Sequence, residues 1–276
     1  MKNAIAAWAS SLAVIIRSYR VIATFAVLVA LWIFAFYEWL GLSESSGLLL
    51  ILAIIWATAQ LLATVVVIAG NVLSATEAAT AEGRILPGGS LWVKDWGRLL
   101  QTLVVCVAGT LLGTCLWAIF DWVNRHSIEV ASFLTFHSGK AVSHVPVEEI
   151  YTVIEGLLWI ALGGFLLSFL LTLMRTGWAK AVRASGKLLA RSLYRAGFVT
   201  SLLSVALFGG AAYELVNWHP KVPPGFWDYT QVVMRFALVL ILLAAGWFFW
   251  LLSLARLDVP KQELPPIPIS PQQIPR

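Results

Sequence analysis

Charge is scarce in this chain. Only 12% of its 276 residues are Asp, Glu, Lys or Arg and 60% are apolar, with a mean hydropathy of +0.85. An ordinary water-soluble domain carries about 25% charged and 45–50% apolar residues. A fold in water cannot hide so much apolar surface, and disorder requires the opposite composition. Two cysteines are too few for a disulfide scaffold. Cys106 and Cys115 share one apolar stretch, nine residues apart; on a helix that spacing turns them to opposite faces, so they cannot bridge each other. The chain also lacks HExxH, GxSxG, GxxxxGK[ST] and the dinucleotide glycine fingerprint. No catalytic residue, metal ligand set or cofactor is assigned, and the chain is read as non-enzymatic.

What is present is apolar length. A hydrocarbon core of about 30 Å needs about 20 apolar residues of helix. Six stretches meet that length: 21–40, 48–69, 99–120, 151–174, 197–216 and 232–254, the second continuing as helix toward Gly83. Ten-residue segments of alternating polarity are missing, which argues against a β-barrel. The expected fold is all-α: a polytopic membrane protein with six transmembrane helices. The expected division is an amphipathic helix over 1–20, a membrane domain over 21–258 and a Pro-rich tail over 259–276.

Lysine and arginine set the orientation. With the amino terminus inside, fifteen of the nineteen cations lie in inner segments, and only Arg125, Lys140, Lys221 and Arg235 lie outside. Both termini are therefore expected in the cytoplasm. The net charge of +5 reflects this asymmetry rather than nucleic-acid binding.

Each outward span repeats a pattern, with arginine before it and an acid beside aromatics after it. The three versions are Arg17, Arg20 with Tyr37-Glu38-Trp39; Arg98 with Phe120-Asp121-Trp122; and Arg191, Arg195 with Tyr213-Glu214 and Trp218. Any outward helix carries such features. A tandem triplication into three parallel hairpins explains them equally, and IIRSYRVIATF and LLARSLYRAGF align with gaps.

Two segments are amphipathic. Over 178–195, Lys180, Arg183, Lys187 and Arg191 recur at three- and four-residue steps, and Trp178, Val182, Leu189 and Leu193 fall on another face. The four cations are a candidate site for anionic lipid headgroups, against the plainer reading of a positive-inside connection. The amino-terminal segment carries the stripe Ile5, Trp8, Leu12, Ile15 and Tyr19. Between spans two and three lies NVLSATEAATAEGRILPGGSLWVKDWGRLL. It reads as an alanine-rich helix end, a Pro87-Gly88-Gly89 turn and a short helix with Trp92 and Trp96 that Ser90 caps. These thirty residues and the span count resemble bacterial six-helix membrane proteins of the glycerophosphodiester phosphodiesterase membrane-domain type. The resemblance implies a multi-pass protein of the bacterial inner membrane. It carries no phosphodiesterase activity over, because the chain has no such catalytic domain.

Two ionisable residues fall inside spans at matching depth, Glu155 and Arg235. They are expected to pair, either as a buried strut or as a proton or substrate site. Thr58, Gln60, Thr64, Thr102, Thr110, Thr114, Ser168 and Thr172 are expected to hydrogen-bond between helices. Gly109-x-x-x-Gly113, Gly163-Gly164 and Gly209-Gly210 permit close packing, a kink or a transport site. All four histidines lie outside, three of them in the loop 123–150 with Glu129, Glu148 and Glu149, without a tight metal spacing. Within that loop VASFLTF reads as an interfacial helix. The loop and the tail are the candidate protein-contacting elements. Two functions stay open: a transport or permease-like protein for a small or lipidic solute, and a non-enzymatic structural or assembly subunit of a membrane complex. A continuous polar cavity is expected of the first, a dry packed bundle of the second.

Overall fold

The structure, a computed structural model, describes residues 2–41, 46–80, 85, 96–218 and 226–257. The expected tail lies outside the described residues, as do the turn and the capping serine between spans two and three. No strand occurs among the described residues, and six helices are long and apolar enough to cross a membrane. In chain order the elements are α1 (Lys2–Arg17), α2 (Tyr19–Leu40), α3 (Gly47–Thr80), α4 (Trp96–Arg125), α5 (Ser127–Ser138), α6 (His144–Thr176), α7 (Trp178–Tyr194), α8 (Ala196–Ser204), a π-helical segment (Val205–Gly209), α9 (Gly210–Asn217) and α10 (Phe226–Leu257). All six expected spans fall inside these helices. The fifth is α8 and α9 joined through the π-helical segment, which ends at the first glycine of the Gly209-Gly210 pair.

Local chemistry sets the breaks. Gly177 ends α6 at φ +81°, a conformation that strains any residue with a Cβ. Gly139 closes α5 in the left-handed region, its N–H donating to the Thr135 carbonyl. Ser143 opens α6 by accepting from the Val145 N–H, and Pro146 sits in the first turn, where its missing N–H has no helical partner to lose.

The helices pack in a cyclic order. The three returning spans α3, α6 and α10 touch one another and form the centre. Each outward span fills a groove between two of them: α2 between α10 and α3, α4 between α3 and α6, α8 between α6 and α10. The amphipathic helices follow the same rule. Helix α7 rests on α6, the return of the unit before it, and α1 closes the ring on α10. This threefold arrangement is what three parallel hairpins about an axis along the membrane normal would produce.

Packing is uneven along that axis. Val72, Leu171, Leu251, Leu252 and Ala255 are fully buried at the end that carries α1 and α7, here termed the basic end. At the other end the spans splay. Only 6% of the most apolar window of α3 is buried, against 56% in α10. At about 1.5 Å per residue, α3, α6 and α10, of 34, 33 and 32 residues, exceed the hydrocarbon thickness. Their surplus, with α1 and α7, makes a dense layer at the basic end.

Helix α1 meets this layer with its small residues. Ala4, Ala7 and Ser11 are buried while Ile5, Leu12 and Tyr19 are exposed. Of the expected stripe, Ile15 is buried and Trp8 is half-buried, its indole donating to the Thr200 hydroxyl at 2.9 Å. Lipid is as apolar as leucine, so the faces that pack are those that let backbones approach.

Candidate functional site: a lateral apolar cleft

In two of the three grooves the outward span sets a phenylalanine against α10. In the α2 groove Phe25 meets Phe248 edge-on at 5.3 Å. In the α8 groove Phe208, from the π-helical segment, lies 5.4 Å from Phe249. The backbone of α10 makes room for it at Gly246, where a Cβ would come within 2.6 Å of the Phe208 Cβ.

The α4 groove is different. Here α4 presents Gly109 and Gly113, and α6 leans a Leu166 methyl and the Trp159 ring edge over them. Between α3, α4, α6 and α10 a cavity of about 680 Å³ remains, lined by Leu61, Val105, Trp117, Trp159, Trp247 and Trp250 among others. It runs along α4 from Val105 to Trp117, about 18 Å at 1.5 Å per residue. Toward the basic end its lining residues Val65, Val105, Leu167 and Leu170 are buried. Toward the other end Leu61, Trp117 and Trp159 are exposed. The cavity is therefore a blind cleft, closed at the basic end and open sideways.

Its walls offer almost no hydrogen bonding. The lining threonines Thr64, Thr110 and Thr114 donate to carbonyls of their own helices, those of Gln60, Cys106 and Thr110. Their hydroxyl protons are thereby used within α3 and α4. Trp250 donates to the Ser201 hydroxyl at 2.8 Å, and a Cβ on Gly163 would fall 2.7 Å from its ring. Gly164 faces the other way, against Ser201. The Gly163-Gly164 pair thus seats two side chains on two sides of α6. Trp247 Nε1 has no hydrogen-bond partner among the described residues. Cys106 lines the cleft, and Cys115 is exposed on the far side of α4.

The remaining expected residues settle as follows. Glu155 and Arg235 take different partners: Trp159 Nε1 donates to Glu155 Oε1 at 3.3 Å, and Arg235 Nη1 donates to the Trp218 carbonyl. No ion pair between them occurs among the described residues, so the expected pair gives way to two separate contacts. The coupling free energy from a Glu155→Arg, Arg235→Glu double-mutant cycle in detergent is accordingly expected to stay within about 0.5 kcal/mol; about 1 kcal/mol or more would restore the pair.

The threonines do not bridge helices as expected. Thr58, Thr102 and Thr172 bond back to carbonyls four residues earlier, as the lining threonines do. Tryptophan supplies much of that role instead. Besides Trp8 and Trp250, Trp39 and Trp56 cross-link the α2–α3 hairpin to the carbonyls of Ala53 and Ala35. The expected interfacial helix is α5; it docks on α6 through Ser127 to Glu148 at 2.9 Å and leaves Ile128, Phe133 and Phe136 exposed. His126 and His137 bond to carbonyls of their own segments, Trp122 and Phe133. Lys180, Arg183 and Lys187 stand exposed on α7 and Arg191 is half-buried.

The chain matches no protein-family model, no curated protein and no solved structure. The site is therefore read from its own geometry. The cleft escaped the sequence reading, because its lining is assembled from four helices, α3, α4, α6 and α10.

Proposed function

We propose that this multi-pass protein lies in a bacterial inner membrane with both termini cytoplasmic and acts in a permease-like manner on a lipidic solute, whose alkyl chain enters the α4 groove from the side. The α4 groove is not the continuous polar cavity expected of a transporter but an apolar cleft open to the side, and it carries this reading for a lipidic solute alone. Its walls are apolar, its mouth faces the position of the acyl chains, and its length exceeds half of the roughly 30 Å hydrocarbon core. A water-soluble solute finds few counterparts: the lining threonines donate within their own helices, the Trp247 N–H is one donor in an otherwise apolar lining, and the basic end is closed by buried side chains. Of the small and lipidic solutes that the sequence left open, the geometry favours the lipidic one. The cytoplasmic placement of the termini rests on the fifteen-to-four distribution of cations. The bacterial membrane rests on the resemblance of residues 71–100.

A second reading, an assembly subunit of a membrane complex, draws support from the α2–α3 hairpin. Its outer half is held by two indole contacts and leaves Leu31, Phe34, Ile51 and Ile54 exposed.

Reconstitution separates the two. The protein is placed in sealed vesicles with a trace fluorescent phospholipid in both leaflets, and an impermeant reductant is added outside. Permease-like movement bleaches the inner-leaflet label as well. Bleaching that stops at the outer leaflet contradicts the proposal and leaves the assembly reading.

A further inference from the structure

Helix α7 divides into three faces. At about 100° per residue, its buried positions Ala181, Leu188 and Ser192 share one sector, which packs on α6 and α8. A second sector, about 60° wide, holds Trp178, Val182, Leu189 and Leu193, all exposed, with one edge of Trp178 against Phe169 of α6. The third, about 80° wide and turned well away from the second, holds Lys180, Arg183, Lys187 and Arg191. The first three are exposed, and α7 contains no acidic residue.

Helix α1 has the same design up to the third face. Ala4, Ala7, Ser11, Val14 and Ile15 are buried and Ile5, Leu12 and Ile16 are exposed. Its remaining face, however, carries Ala6, Ala9, Ser10 and Ala13 between two cations at its opposite ends, Lys2 and Arg17. Both helices sit at the basic end before an outward span, and both need anchoring at the membrane edge. Anchoring therefore does not account for a row of cations on one of them alone.

We propose that the Lys180–Arg183–Lys187 face of α7 is a binding surface for the phosphate-bearing headgroups of anionic phospholipids in the leaflet at the basic end. The exposed apolar stripe seats α7 at the hydrocarbon boundary, and the cations then stand at headgroup level, about 10 Å apart from Lys180 to Lys187. Charge complementarity selects the occupant, because three cations without an acid on their helix face a surface whose headgroups differ in charge. This surface does not depend on the cleft.

The full-length protein in mild detergent is titrated with phosphatidylglycerol and, separately, phosphatidylcholine, and bound lipid is counted by native mass spectrometry. A cation near an anionic surface is worth about fivefold in affinity. The wild type is expected to prefer phosphatidylglycerol at least tenfold and to lose that preference at high salt. The Lys180→Gln, Arg183→Gln, Lys187→Gln variant is expected to lose it with phosphatidylcholine binding unchanged. A Lys180→Arg, Lys187→Arg variant is expected to keep it, which separates lost charge from lost folding. The proposal is overturned by a wild type without preference, by a preference that survives high salt or the neutral variant, or by inorganic phosphate displacing the lipid, which would mark a free-phosphate site.

Discussion

Thr110→Phe with Thr114→Phe abolishes retention of a lipid in the cleft and leaves the fold intact. Both residues line the cavity on the exposed side of α4, and neither hydroxyl reaches another helix. Aromatic rings at these positions occupy space in the cavity that a ligand needs, while the contacts of Leu166 and Trp159 with the adjacent glycines are left in place. A chain moving from bilayer to cleft gains nothing from the hydrophobic effect, because lipid tails are as apolar as the walls. What holds it is close contact, at about 0.1–0.2 kcal/mol per atom pair. A dozen methylenes with a few such contacts each reach several kcal/mol. Removing most of them lowers lipid retention at least tenfold, about 1.4 kcal/mol. Cys115→Phe, on the exposed far side of the same helix, leaves retention unchanged. Counting lipid per protein after purification in mild detergent checks both variants. Equal lipid in the threonine variant and the wild type would mean that the cleft is not where lipid binds.

The second large effect concerns stability. Gly246→Ala forces α10 away from the π-helical segment, because the new methyl would lie 2.6 Å from the Phe208 Cβ and 3.0 Å from its ring. A Cβ is fixed to the backbone and cannot swing aside, so the helices must separate. Overpacking of this kind costs about 1–3 kcal/mol. Gly156→Ala in α6 is the matched control, since nothing lies within 4 Å of its added methyl; it is neutral or stabilising by up to about 1 kcal/mol. Thermal unfolding in detergent compares the two. If both substitutions behave alike, Phe208 is not seated as described.

The spans were legible because a bilayer imposes length and apolarity together, and no soluble constraint mimics twenty such residues in a row. The faces of the helices were harder to read. In α1 the large side chains Ile5 and Leu12 look like a core stripe, yet they are exposed, and Ala4, Ala7 and Ser11 pack beside Val14 and Ile15. In water the burial of large residues drives packing; in lipid that preference vanishes and close approach decides. Glu155 and Arg235 take separate partners, the Trp159 indole and the Trp218 carbonyl. Counting residues from a span end gives height along the bundle, whereas pairing needs the same azimuth. The threonines were misjudged because a hydroxyl in a helix always has its own carbonyl within reach four residues back. The indoles of Trp8, Trp39, Trp56 and Trp250 have no such local acceptor, and they bridge helices instead. The cleft could not be seen in any one helix. Its lining is drawn from α3, α4, α6 and α10, and the α4 glycines are themselves covered by Leu166 and Trp159.

The most direct measurement of the central claim is a cryo-electron microscopy map of the protein in lipid nanodiscs, at a resolution that shows side chains. Elongated density between Trp117 and Trp250, beside the Leu166 and Trp159 side chains that cover Gly109 and Gly113, is the predicted result. A groove collapsed shut, with the Trp159 or Trp250 ring filling it and no room for a chain, would contradict it.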